Sequence, residues 1–300
     1  MPSDTSDLEA LAARLEASPA YRVLRAVTPP AHLGDLPDGA RVGVYLDLET
    51  TGLDHSSDRV IEIGLVRFAD DLDSSTVLGM LDASDALEDP GRPLTPEITR
   101  LTGIDDGMLA GQRIDDARVA EMLDGAGLVI AHNARFDRPF AESRLPLFAD
   151  VAWACSQRDV EWRLEGFESS GLQALVMASG SFYEGHRAVE DCYAGVHMLA
   201  TTLPQSGETA LSALRRSALR RDVRLWAMRS PFETKDLLKA RAYRWNPDAK
   251  VWWVDVDEGA LADEQAWLRE NVYGGRLPEL PLRRVDATLR YSTRIGEAPS

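Results

Sequence analysis

The stretch Arg41-Val42-Gly43-Val44-Tyr45-Leu46-Asp47-Leu48-Glu49-Thr50-Thr51-Gly52-Leu53-Asp54 carries two patterns at once. Val42, Val44, Leu46 and Leu48 alternate with Gly43, Tyr45, Asp47 and Glu49, a period of two that predicts a strand. Thr51-Gly52-Leu53-Asp54 is the turn signal that ends it. Asp47 and Glu49 then share one face, with α-carbons about 6–7 Å apart, and the opposite face is apolar core. Two acids side by side resist ionisation unless a cation neutralises them. Mg2+ does this with carboxylate oxygen, water and phosphate around it. Taken alone, the pair fits a solvated strand end better, since Asp and Glu are common there.

Outward from this strand, the pattern predicts further strands at 60–68 and 77–81 and helices at 96–102 and 115–123. A short buried strand follows at 128–131, then helices at 135–143, 172–178 and 188–200. Strands first and then alternating helix and strand predict an α/β fold, a mixed sheet with flanking helices. Two further acidic motifs lie on this frame. His132-Asn133-Ala134-Arg135-Phe136-Asp137 leads from the short strand into a helix, where Asn133 can cap and Asp137 sits about one turn in. Gly185-His186-Arg187-Ala188-Val189-Glu190-Asp191 gives His186 a flexible approach and puts Asp191 in the first turns of the next helix. Hydrolysis of a phosphodiester by two metals needs them about 3.5–4 Å apart, one activating water and one stabilising the leaving oxygen. Asp47, Glu49, Asp137 and Asp191 suffice to hold such ions, Mg2+ or Mn2+, with positions open for phosphate. An imidazole, which titrates near neutrality, can take the proton of the attacking water, and His186 supplies it.

In this combination the sequence resembles the DEDD 3′–5′ exonucleases in their His-containing form, the superfamily of the DNA polymerase III epsilon proofreading subunit. Asp47-Leu48-Glu49-Thr50-Thr51-Gly52 matches the first motif, His132 to Asp137 the second, and His186 with Asp191 the third. Successive acids are 90 and 54 residues apart. The resemblance covers about residues 41–203 and implies a ribonuclease-H-like fold, with a five-stranded mixed sheet. It implies two divalent metals as cofactors. It also implies substrate contacts at Leu48, Thr50, Thr51, His132 and Asn133, and a hydrophobic contact near the end bases at Phe136.

Hydrophobic residues make up 44% and charged residues 27% of the 300, an ordinary globular balance that suggests about two domains. No apolar run is long enough to span a bilayer, and the polar, acidic start from Met1 to Glu9 does not read as a signal peptide. With only Cys155 and Cys192, a disulfide scaffold is not expected and a cytoplasmic setting is. The net charge of −16 is uneven: −19 over residues 1–203 and +3 over residues 204–300, with +7 between Arg215 and Lys250. We expect an N-terminal helical extension and linker at 1–40, the catalytic domain at 41–203, and a small Trp/Arg-rich α+β module at 204–300.

That module reads as a helix through Lys235 and Lys239, a strand at 250–254 and a helix at 260–271, with Phe232 in its core. Four of the seven tryptophans fall between Trp226 and Trp253. Aromatics interleaved with Arg and Lys suit base stacking and phosphate contact, although tryptophans of a small domain also serve as its core. Arg241, Arg244 and Lys250 are the candidate nucleic-acid contacts. The expected function is metal-dependent 3′–5′ hydrolysis of a single-stranded nucleic acid end, DNA favoured over RNA, releasing nucleoside monophosphates. An RNA-trimming enzyme and a polymerase-associated accessory or proofreading subunit, with a replication or repair protein as partner, are the alternatives. No clamp-binding motif is evident, and the back half is unlike the polymerase-binding tail of the proofreading subunit.

Overall fold

The computed structural model describes residues 5–247 and 249–296. The chain runs α1 (Thr5–Glu16), β1 (Arg25–Ala26), β2 (Ala40–Thr50), β3 (Val60–Asp71), β4 (Val77–Leu87), α2 (Pro96–Thr102), α3 (Asp106–Leu109), α4 (Asp116–Leu123), β5 (Ala126–Ala131), α5 (Ala134–Arg144), β6 (Trp153–Cys155), α6 (Leu172–Ala178), β7 (Ser181–Phe182) and α7 (Ala188–Ala200). It continues through α8 (Ala210–Ala218), β8 (Asp222–Ala227), α9 (Lys235–Ala240), β9 (Arg244–Asn246), β10 (Val251–Asp257), α10 (Leu261–Asn271) and β11 (Leu282–Val285).

The main sheet has the order β4-β3-β2-β5-β6. β2, β3 and β4 are antiparallel, and β5 and β6 join β2 in parallel. This is the mixed five-stranded, ribonuclease-H-like sheet that was expected. The third strand continues to Leu87 rather than stopping at residue 81, because beyond a register shift at Leu81 the residues Asp82 to Leu87 pair without a break with Arg67 to Glu62 of β3. The fifth strand, β6, was not predicted; three residues are too few to show a period.

The alternation of β2 sorts its side chains into two cores. Val44, Leu46 and Leu48 pack against α4 and α5 with Val119, Met122, Phe140 and Ala141. Tyr45 faces the other way, into a cluster with residues of α6, α7 and α8. Asp47 and Glu49 share the Tyr45 face. α7 lies unusually close to that face because two glycines permit it. A Cβ at Gly64, the residue paired with Asp47, would stand 2.3 Å from the Ala188 carbonyl carbon, and one at Gly195 would stand 2.0 Å from the Tyr45 ring. Asp191 is on this helix.

Both sheet edges are covered by chain from outside residues 41–203. Along β4, Leu33 N–H donates to the Met80 carbonyl at 2.7 Å and Met80 N–H to the Ala31 carbonyl at 2.8 Å. Along β6, Trp153 N–H donates to the Ala287 carbonyl at 2.8 Å. Covered edges cannot recruit strands from other molecules. The C-terminal segment is held there by Arg138, which is fully buried. Its guanidinium donates to Glu142 and to the carbonyls of Ala287, Thr288 and Arg290. α8 belongs to the Tyr45 cluster through Ala210, Leu211, Ala213 and Leu214, so that core continues past residue 203.

The second sheet, β11-β8-β10-β9, is antiparallel throughout. Leu225, Ala227 and Trp252 on one face pack with Leu238 of α9, Tyr243 and Leu268 of α10. Phe232, expected in this core, is 74% exposed, because it lies in a turn ahead of α9 with the Lys235 ammonium 4.1 Å from its ring.

Gly64→Ala should lower stability by about 1–3 kcal/mol, the cost of overpacking, because the obstructing atoms are backbone and cannot rotate away. Arg138→Met should cost about 3–5 kcal/mol, as loss of one member of a buried ion pair does. It should also open the C-terminal segment to limited proteolysis. Urea unfolding and mass analysis of the digest read both effects.

Candidate active site

Asp47 and Glu49 leave the end of β2 on the α7 face, and Asp191 meets them from the first turns of α7. One carboxylate oxygen of each lies within 4.8 Å of one in each of the others. Asp137, on α5, is 2% exposed and close enough for its charge to act on Asp47, Glu49 and Asp191. Asp47, Glu49 and Asp191 therefore meet from two elements, and Asp137, on a third, is near enough for its charge to be felt but is not within that 4.8 Å group.

Their electrostatics follow from that crowding. Burial, and then the charges of Asp137, Asp191 and Glu49, hold Asp47 well above the usual carboxylate range. Burial raises Asp137 in the same way. Glu49 is pushed up to about 8 by burial and by Asp191 and Glu62, with Arg187 as the opposing cation. Burial raises Asp191 too, although its oxygens accept from the Tyr183 hydroxyl and the His186 N–H, each at 2.8 Å. A bound cation would let such a cluster ionise. The donor set is all carboxylate, with no thiolate or imidazole in it, which suits hard ions such as Mg2+ or Mn2+.

His186 sits at the rim of the cluster, exposed, with φ of 71°. The left-handed turn thus falls on the histidine itself rather than on Gly185. Its ring makes no hydrogen bond among the described residues. The remaining expected contacts are less free. The Leu48 side chain is 5% exposed and belongs to the α5-side core. Thr50 is 6% exposed and donates to the Gly52 carbonyl. The Thr51 hydroxyl is enclosed by Asp58, Arg92 and the Arg59 N–H. Phe136 is half-buried against Phe140, ring centroids 5.0 Å apart.

His132 has both ring nitrogens committed, one to Ser156 Oγ and one to the Ser170 carbonyl, each at 2.9 Å. The carbonyl can only accept, so Nε2 carries the proton and Nδ1 accepts from Ser156. The Tyr45 hydroxyl completes the chain at 2.7 Å from Ser156 Oγ. Burial lowers the His132 pKa to about 4, so it stays neutral. Asn133 does not cap α5 with its side chain as expected. Its φ of 78° departs from the extended conformation that aims a capping side chain at the helix N–H groups. Burial raises the Cys155 thiol pKa, and its sulfur accepts from the Ala134 and Asn133 N–H groups instead.

Three residues of the site were not anticipated. Glu62 pairs across the strands with Glu49, is fully buried, and accepts from Arg187 and from the Ala188 N–H at the start of α7. Its signal is a lone acid in Val60-Ile61-Glu62-Ile63, a strand pattern that is otherwise apolar. Arg187 and Tyr183 flank His186 in sequence, but only the fold brings them to Glu62 and Asp191. In the back half, Arg241 is engaged by Glu264 at 2.9 Å and stacks over Trp267. Arg244 is exposed beside Trp253, and Lys250 is exposed in a left-handed turn.

Residues 44–199 match the family model for the RNase_T exonucleases. That span is more than half of the chain, and the chain belongs to this exonuclease family, among the DnaQ-like DEDD 3′–5′ exonucleases. The PolC-type DNA polymerase III of Bacillus subtilis (strain 168) is 36% identical over 180 residues, 56% of this chain and 12% of the polymerase. That of Caldanaerobacter subterraneus subsp. tengcongensis is 33% identical over 103 residues, 34% of this chain and 7% of the polymerase. The chain thus spans only a small part of these curated relatives. Among solved structures, exonuclease X in complex with 5′ overhanging duplex DNA is 25% identical, with 58% of this chain and 99% of that one covered and a TM-score of 0.43. The zinc-bound E. coli exonuclease I–single-stranded DNA complex is 16% identical, with 83% and 66% covered and a TM-score of 0.47. No described helix is long and apolar enough to cross a membrane.

A carboxyl with a raised folded pKa binds its proton more tightly folded than unfolded, so stability falls as pH rises between the two values. For Glu49 that window runs from 4.5 to about 8. The metal-free protein should therefore melt at progressively lower temperature from pH 5 to pH 8. Glu49→Gln should flatten the decline, and Mn2+ should restore the wild-type melting temperature at pH 8. Calorimetry across pH, with and without metal, reads all three.

Proposed function

We propose that this exonuclease removes nucleotides from the 3′ ends of single-stranded DNA, using two divalent metal ions held by Asp47, Glu49, Asp137 and Asp191. The observation that carries this is the convergence of Asp47, Glu49 and Asp191, with Asp137 acting on them by its charge, beside His186, whose N–H donates to Asp191. DNA is favoured over RNA because the PolC-type relatives are DNA polymerases. Catalysis is assigned to residues 41–203, with residues 1–40 and 204–300 as accessory segments. A cytoplasmic setting and a replication or repair partner belong to the same reading.

Bound at the carboxylates, divalent ions supply the charge that lets all four ionise together, acidify water and offset charge on the scissile phosphate. The chain's own groups do the rest. Asp191 is oriented by Tyr183 and by the His186 N–H. His186, on the rim, accepts the proton of the attacking water. Glu62 and Arg187 pin the start of α7, which carries Asp191. Phe136 offers a partly open ring to the terminal base. Leu48 and Thr50, being buried, meet substrate through their backbone, and His132 braces the loop through Ser156 and Ser170. Asn133, with its side chain free of capping, is available to the terminal nucleotide.

The test is a time course on end-labelled single strands of DNA and RNA with Mg2+, Mn2+ or chelator. Mononucleotides should be released from the 3′ end of DNA, and chelator should abolish the reaction. Asp47→Ala, Glu49→Ala, Asp137→Ala and Asp191→Ala should each nearly abolish it. Full turnover in chelator rejects the metal reading, and faster trimming of RNA moves the assignment to an RNA-processing enzyme. His186→Ala should lower kcat about 10²–10⁴-fold, the range for a lost general base, with little change in KM. A rise in KM alone would make His186 a binding residue.

A further inference from the structure

Trp253 is placed unlike a core tryptophan. It lies opposite Trp226 on β8 and Arg244 on β9, so these three share one face of the C-terminal sheet. The module's own core, with Leu225, Ala227 and Trp252, is on the other face. Trp226 is covered, whereas Trp253 is only half-buried. The Arg224 guanidinium stands 3.8 Å from its ring centroid and that of Arg244 5.4 Å. The ring borders a cleft of about 500 Å³ between this face and the exonuclease fold.

The cleft's charge is distinctive in a chain of net charge −16. Arg224 and Arg290 are paired with Asp255 and Asp222. Arg135, Arg158, Arg220 and Arg244 also line the cleft, are exposed, and form no ion pair among the described residues, although the Arg220 charge acts on Asp222, which Arg290 already binds. The cleft's other acids are hydrogen-bonded locally, Asp159 to the Cys155 N–H and the Ser217 hydroxyl and Asp257 to the Gly259 N–H, and keep their charge, so six arginines there outnumber four aspartates. Four unpaired guanidiniums around a stackable ring suit a chain of phosphates and bases. Part of the cleft's lining comes from elements that also carry the site. Arg135 is two residues before Asp137 on α5, and Arg158 is two residues after Ser156, which holds His132.

We propose that this cleft guides the single strand leading away from the 3′ terminus, with Trp253 stacking on a base and Arg135, Arg158, Arg220 and Arg244 holding phosphates. The inference rests on the exonuclease reading and adds to it how an acidic enzyme retains a polyanion. The fold explains why this path was not visible in sequence. Its residues come from α5, the loops after β6 and α8, β9 and β10, and only tertiary packing sets them around one space.

The test uses the full chain and fluorescence anisotropy of 5′-labelled dT3 and dT20 without divalent metal, across a salt series. The triple variant R158S/R220S/R244S should weaken dT20 binding at least tenfold. It should also lower the slope of log Kd against log salt by about 2, at about 0.7 per phosphate contact in a single strand. Trp253→Leu should weaken dT20 binding about tenfold, and Trp253→Tyr should largely restore it, as stacking requires. Both losses should shrink on dT3. Arg276→Ser, exposed and outside the cleft, should bind as wild type. Equal affinity and slope in wild type and triple variant would overturn the proposal. So would a polyglutamate peptide that competes fully with dT20 while binding is indifferent to Trp253, which would make the cleft a dock for acidic protein. Turnover with Mn2+, measured alongside, separates the two readings. Arginine-dependent binding without any cleavage would count against the exonuclease assignment and leave the groove. Normal cleavage with unaltered binding in the variants would remove the groove alone.

Discussion

Mutual repulsion among Asp47, Glu49, Asp137 and Asp191 is the constraint around which the molecule is arranged. Carboxylates so crowded, one of them buried and the others half-buried, oppose folding whenever they ionise without a cation. Rigid surroundings hold them there. β2 is the middle strand of the sheet, α7 lies directly on it through Gly64 and Gly195, and α5 is fixed by a fully buried arginine. Glu62 shows the same economy. It adds another acid beneath Glu49, yet its charge is matched by Arg187 and the Ala188 N–H, so it anchors α7. Held by these packed elements, the carboxylates are positioned in advance for a cation.

The segments outside the nuclease motifs complete the fold. Residues 31–33 cover one edge of the sheet and Ala287 the other, while α8 fills the core beneath Tyr45. Near the site, β1 runs beside β7 and so steadies the chain just before Tyr183 and His186. The Arg290 guanidinium joins α8 to β8 through the carbonyls of Ser217 and Arg220 and the carboxylate of Asp222. Cutting at residue 203 would strip both an edge and part of a core, so the C-terminal module is better probed by substitution than by removal.

The central strand, the helices at Pro96–Thr102, Leu172–Ala178 and Ala188–Ala200, and the grouping of acids into three motifs were legible in the sequence. Each depends on local periodicity or on spacing along one element. β6 was not legible, because three residues carry no period and its pairing comes from β5 and Ala287. Phe232 was misread as core because hydrophobicity does not say which way a turn faces.

The sequence by itself determined which residues could perform the chemistry: residues two apart on a strand must share a face, and an acid in the first turns of a helix lies near that helix's approach. Only the tertiary structure decided that these faces meet, that His186 stays free while His132 is bound on both nitrogens, and that Arg241 is spent on Glu264 while Arg244 is left open beside Trp253. The physical reason is that burial and partner choice are properties of packed neighbours, most of them distant along the chain, whereas periodicity reports only the residues next door.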